Sequence, residues 1–154
     1  MRTSLLHAGT ADSVSGKGSA VALPDREAGY HAFLMLRVAF AIAPIAFGLD
    51  KFFNVMVDWP IYLAPWIKDI APGSGQEFMY FVGATEIIAG VLVALKPRYG
   101  AYVVAAWLAG IVLNLLTHSG FYDIALRDFG LMLAALTLAR LASAYDPPLR
   151  LGGR

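Results

Sequence analysis

Apolar residues in this chain gather in long runs instead of alternating with polar ones. Tyr30 to Phe53, Glu77 to Leu95, Tyr99 to Thr117 and Asp123 to Ser143 are each built largely of Ala, Val, Ile, Leu, Met, Phe and Gly. Each run approaches the ~20 residues that carry a helix across a ~30 Å hydrocarbon core. A soluble fold can hide one helix that is apolar all round, but four would leave too little polar surface for water. The pattern therefore predicts an all-α fold, an integral membrane four-helix bundle with helices at about 30–53, 77–95, 99–117 and 123–143.

The polar stretches between the runs set the organisation. Residues 1–29 are rich in Gly, Ser and Ala and lack the 7–15-residue apolar stretch of a secretory signal. They are expected to form a flexible cytoplasmic tail, with the first membrane helix acting as the targeting signal. Residues 54–76 make the longest connection and carry Trp59-Pro60, Tyr62, Pro65-Trp66 and Pro72-Gly73. Proline interrupts a helix, and Trp and Tyr favour the headgroup region, so this loop is expected to lie at the membrane surface as a short amphipathic piece or a lid. Lys96-Pro97-Arg98 and Ser119-Gly120-Phe121-Tyr122 are tight turns, and Pro147-Pro148 leads into a short basic tail, 146–154.

Charge orients the bundle. With the amino terminus inside, nine of the 12 Lys and Arg residues fall on or near the cytoplasmic side, and only Lys51, Lys68 and Arg127 fall outside. The positive-inside rule then predicts both termini in the cytoplasm. Small residues four apart (Ala101, Ala105 and Ala109; Ala106 and Gly110; Ala135 and Ala139) permit close helix contacts, within one chain or between copies.

Composition narrows the chemistry. The residues are 58% hydrophobic and 15% charged, with a formal net charge of +1, and no basic stripe points to nucleic acid. Without cysteine there is no disulfide, no C-x-x-C redox pair and no thiolate-held metal or iron–sulfur cluster. Of the three histidines, His31 and His118 fall at opposite membrane faces, so no haem is expected between them. No phosphate-binding glycine loop, hydrolase triad or metal-ligand spacing is present. The chain alone is expected to bind no cofactor, with a quinone as the candidate ligand.

Ionisable groups at membrane depth demand either a partner or a task. Glu86 falls near the bilayer midplane, and Arg37 within roughly one helical turn of that depth. Two readings follow: a buried Arg37–Glu86 pair that fixes helix packing, or a carboxylate that carries a proton or holds a polar ligand. The structural pair is the expected one, because burial of this cost usually requires a counter-charge. A second group gathers toward the outer face: Asp50, Lys51, Asn114, His118, Arg127 and Asp128. Asp123 and Arg127, four apart, can pair along one face, which leaves Asp128 to meet Lys51 or His118. This ring suits a quinone headgroup or small polar ligand; the alternative is a set of interfacial side chains reaching for water.

Three stretches carry a family resemblance. They are LRVAFAIAPIAFGLDKFF with Arg37, Gly48 and Lys51; VGATEIIAGVLVAL with Gly83, Glu86 and Gly90; and ALRDFGLMLAALTLARL with Arg127 and Asp128. Over about residues 33–143 the chain resembles the DoxX and DoxX-like family of small four-helix bacterial membrane proteins, with the amino-terminal tail and DWPIYLAPW loop outside the general pattern. The resemblance implies a four-helix bundle in a bacterial cytoplasmic membrane, associated with membrane redox systems. The family's namesake is a small subunit of a thiosulfate:quinone oxidoreductase or terminal quinol oxidase, and other members look like scaffolds for oxidative-stress enzymes. No catalytic residues carry over, and function argued from fold is analogy. The leading expectation is an accessory subunit of a respiratory or other quinone-linked redox complex, structural or quinone-interacting, with the lipid bilayer and other redox subunits as partners. The rivals are a homo-oligomeric permease for protons or small solutes and an anchoring or assembly factor without a ligand.

Overall fold

The computed structural model describes residues 22–146, and every extended element among them is helical. Helix α1 spans Ala22–Phe53, α2 Pro65–Ile70, α3 Gly75–Leu95, α4 Pro97–Leu116 and α5 Tyr122–Tyr145. A single 3-10 turn at Trp59–Tyr62 precedes α2. The first helix begins eight residues earlier than its apolar run, because Ala22–Gly29 contains good helix formers such as Leu, Arg and Glu. The rest of the expected amino-terminal tail, residues 1–21, and the carboxy-terminal residues 147–154 lie outside the described residues.

Local chemistry fixes the helix ends. Asn54 closes α1 in the left-handed conformation (φ 51°), its N–H donating to the Asp50 carbonyl at 2.7 Å. Ser74 opens α3 with a reciprocal capping box: its hydroxyl accepts from the Glu77 N–H, and Glu77 accepts from the Ser74 N–H. Pro97 takes the first position of α4, where a missing N–H costs nothing.

The four long helices pack in the cyclic order α1–α3–α4–α5, with α1 mainly on α3 and α4 mainly on α5. Between α1 and α3 the contact is backbone on backbone. A Cβ on Gly48 would sit 2.6 Å from the Gly83 carbonyl oxygen, and one on Gly83 would meet the Gly48 carbonyl at the same distance. Two turns further, the space beside Gly90 is filled by Ala41 and Ile45. These contacts lock the α1–α3 register, with 48 opposite 83 and 41–45 opposite 90. Gly83→Ala is therefore expected to lower stability by about 1–3 kcal/mol through forced separation of the two backbones, measured as reduced thermal stability in matched detergent. An unchanged melting temperature would show that the approach is not tight. Ala101, Ala105, Ala135, Ala139 and Ala142 are buried in the core, as small-residue packing requires, whereas Gly110 faces open space.

The exterior inverts the soluble arrangement. Met35, Ile42, Ile88, Leu113 and Leu126 are each more than half exposed, while the charged Lys51, Glu86, Asp50 and Asp128 are buried. Helices α1, α3 and α4 are long and apolar enough to cross a bilayer. Helix α5, at 24 residues, has the length but also carries Asp123, Arg127, Asp128 and Arg140.

Candidate functional site

Glu86 stands at the middle of α3, roughly 15 Å from either end at helical rise. Its partner is Lys51: Nζ donates to Oε2 at 2.6 Å, with both side chains at or below 10% exposure. The expected Arg37–Glu86 pair is corrected. Arg37 Nη2 donates instead to the Ala94 carbonyl at the end of α3, at 2.7 Å. The glycine-locked register explains the difference, since it sets Arg37 about two turns below Glu86 and swings Lys51 over it. Depth counted from the ends of the apolar runs puts the two within roughly one turn, whereas the glycine register separates them by about two.

Lys51 is covered from above by Trp59, whose ring lies 3.7 Å from Nζ. The same indole donates through Nε1 to Asp50 Oδ2 at 2.7 Å, and Asp50 also accepts from the backbone N–H groups of Val55 and Met56 at 3.0 and 3.1 Å. Adjacent residues on α1 thus serve one lid from two sides, Lys51 beneath its ring and Asp50 holding its backbone.

The lid is the loop 54–74, which lies over the end of the bundle with most of its residues exposed and two of them pressed into it. Leu63 and Ala64 are 3% and 0% exposed. Asn114 on α4 clamps them with both ends of its amide, Nδ2 donating to the Tyr62 carbonyl at 2.7 Å and Oδ1 accepting the Ala64 N–H at 2.9 Å. Trp66 Nε1 donates to Thr117 Oγ1 at 2.8 Å, and Gln76 Nε2 to the Lys51 carbonyl at 2.8 Å.

The residues of the outer group are engaged by the chain itself. His118 contacts the Ser119 carbonyl at 3.2 Å and meets Phe121 edge to face. The pairing expected for α5 is also corrected: Arg127 Nε donates to Asp128 Oδ1 at 3.0 Å, and among the described residues Asp123 enters no ion pair. Asp128 is buried whereas Arg127 is mostly exposed, so the long guanidinium stem folds back to satisfy the carboxylate that most needs it.

Beside Glu86, with Lys51 outside its lining, lies a cavity of about 160 Å³, which sequence reasoning missed. Phe40, Ala89 and Val104 form its buried floor, with Trp107 beside the carboxylate. Its rim residues Ala39, Ala43, Phe47 and Leu131 are exposed, so it opens between α1 and α5 onto the apolar exterior. Glu86 is the only charged group in its wall. The available signal was Pro44, a proline inside an apolar helix, which marks a position where packing departs from the regular ladder.

An apolar exterior, three membrane-length helices and buried charge inside the bundle define an α-helical integral membrane protein. The DoxX family model matches residues 32–119, more than half of the chain. The chain belongs to the DoxX family. The match ends before α5, so the Arg127-Asp128 stretch lies outside it. Neither curated proteins nor solved structures gave a match.

Proposed function

We propose that this chain is a non-catalytic accessory subunit of a quinone-linked redox complex in a bacterial cytoplasmic membrane. In this reading it crosses the bilayer four times with both termini inside. The outward positions of α5, including Leu126, Phe129, Leu133 and Leu136, are apolar and support a fourth crossing despite the charges at its start. The observation that carries the functional reading is a buried carboxylate at the wall of a cavity open to lipid. A water-soluble substrate has no route to it past the clamped lid, whereas a lipid-soluble carrier enters from the bilayer itself. The family's association with membrane redox systems points the same way, as analogy.

Gentle solubilisation from native membranes is expected to co-purify larger redox subunits, and deleting the gene to slow quinol-dependent electron transfer in those membranes. Reporter fusions are expected to place Lys96-Pro97-Arg98 inside and Trp59 and Phe121 outside. A stable homo-oligomer without partners that moves protons or solutes in liposomes would replace this reading with the permease.

A further inference from the structure

The cavity beside Glu86 has the dimensions and polarity of a site for one aromatic ring. Its volume of about 160 Å³ is close to that of an apolar protein cavity known to stay dry and accept benzene, about 150 Å³. Phe40, Phe47 and Trp107 supply aromatic walls, against which a ring gains stacking or edge contacts.

The wall carries one donor, the Trp107 indole N–H, and one underused charged acceptor, Glu86 Oε1. Lys51 occupies Oε2 of Glu86 at 2.6 Å. Among the described residues Oε1 is reached by Trp107 Nε1, itself a cavity residue, at 3.5 Å, a distance at which a hydrogen bond contributes little. Pro44, which also lines the cavity, has no N–H to offer the Phe40 carbonyl one turn earlier. A carboxylate oxygen with spare capacity in an apolar pocket calls for a donor. Water is a poor answer, since it needs two to four polar partners and most of the surroundings are hydrocarbon. A lipid acyl chain fills the volume but leaves the oxygen unmatched.

We infer that this cavity binds the ring of a phenol or hydroquinone, with a ring hydroxyl donating to Glu86 Oε1 and the ring held among Phe40, Phe47 and Trp107. It follows that the reduced, hydroxyl-bearing form of a ring carrier is preferred over its oxidised form, which brings no donor to the carboxylate and finds only the Trp107 N–H, already turned toward Glu86, to donate to it. This deepens the proposed quinone-linked role and moves the ligand from the outer polar group, whose bonds hold the lid, to the lipid-open side of Glu86.

The test uses the full chain in phosphatidylcholine nanodiscs, with 4-fluorophenol and 4-fluoroanisole as probes followed by fluorine NMR, and empty nanodiscs to subtract partitioning. The phenol is expected to bind saturably and roughly 10- to 100-fold more tightly than its methyl ether, the weight of one hydrogen bond to a charged acceptor. Hydroquinone is expected to displace it and benzoquinone to do so poorly. Ala43→Phe, which fills the exposed rim, is expected to abolish saturable binding without lowering the melting temperature. Equal affinity for phenol and ether would show an apolar slot for acyl chains and overturn the inference, as would unchanged binding in Ala43→Phe. If phenol binding fails while redox subunits still co-purify, the inference alone falls. If phenol binds and no redox partner is found, the accessory-subunit reading falls and the site stands.

Discussion

Replacing Lys51 with Met is expected to destabilise the bundle by about 3–5 kcal/mol, because it leaves Glu86 as an uncompensated charge at the centre of α3. Glu86→Leu alone is expected to do comparable harm, now stranding the ammonium. Combining Lys51→Met with Glu86→Leu removes both charges and is expected to recover much of the loss, a strong positive coupling in a double-mutant cycle. Arg37→Met is the internal control. Its guanidinium lies at the end of α3, bonded to the Ala94 carbonyl in an exposed position, so its loss is expected to be small. Reversible unfolding in a fixed detergent mixture measures all four. A large effect of Arg37→Met together with a negligible one of Lys51→Met would restore the pairing that helix depth alone suggests.

Asn114→Ala is expected to release the lid. The side chain satisfies the carbonyl of Tyr62 and the N–H of Ala64, a residue with no exposed surface. Removing it orphans both backbone groups, at about 1–3 kcal/mol for each that stays buried. The cheaper response for the chain is to let residues 54–74 lift into water, so the loss is expected to appear as local opening more than global unfolding. Hydrogen exchange of the Leu63–Lys68 amides is expected to accelerate sharply while that of α3 and α4 is retained, and Trp59 is expected to become accessible to a water-soluble quencher. Uniform acceleration across the bundle would mean that Asn114 holds the helices together, not the lid. Asp50→Ala attacks the same loop from α1 by removing the acceptor for Trp59, Val55 and Met56, and is expected to give the same local signature.

The sequence by itself determined the membrane character and the helical class. Both follow from transfer energetics, which depend on the length and hydropathy of each run and not on its neighbours. It determined the helix ends where local chemistry is self-contained. Pro97 at the start of α4 was visible as a turn, and Ser74-x-x-Glu77 is a capping box legible by spacing, although the apolar run alone put the start of α3 two residues late. It also singled out Glu86 as a residue that must have a partner, since an unpaired carboxylate at that depth is too costly.

Which partner, it left undetermined. Arg37 and Lys51 are both cations on α1, and choosing between them requires the register of α1 on α3. That register comes from the mutual approach of Gly48 and Gly83, a contact between residues 35 apart whose geometry no local pattern encodes. The fate of the outer polar residues was likewise a tertiary decision. Asp50, Asn114 and His118 look alike in sequence as donors and acceptors near a surface, yet the first two are spent on a loop that folds down into the bundle. The cavity is the clearest case. It is a shape left between α1, α3, α4 and α5, and empty volume arises only from how finished helices fail to meet, so Pro44 marks an irregular place on α1 without revealing the cavity.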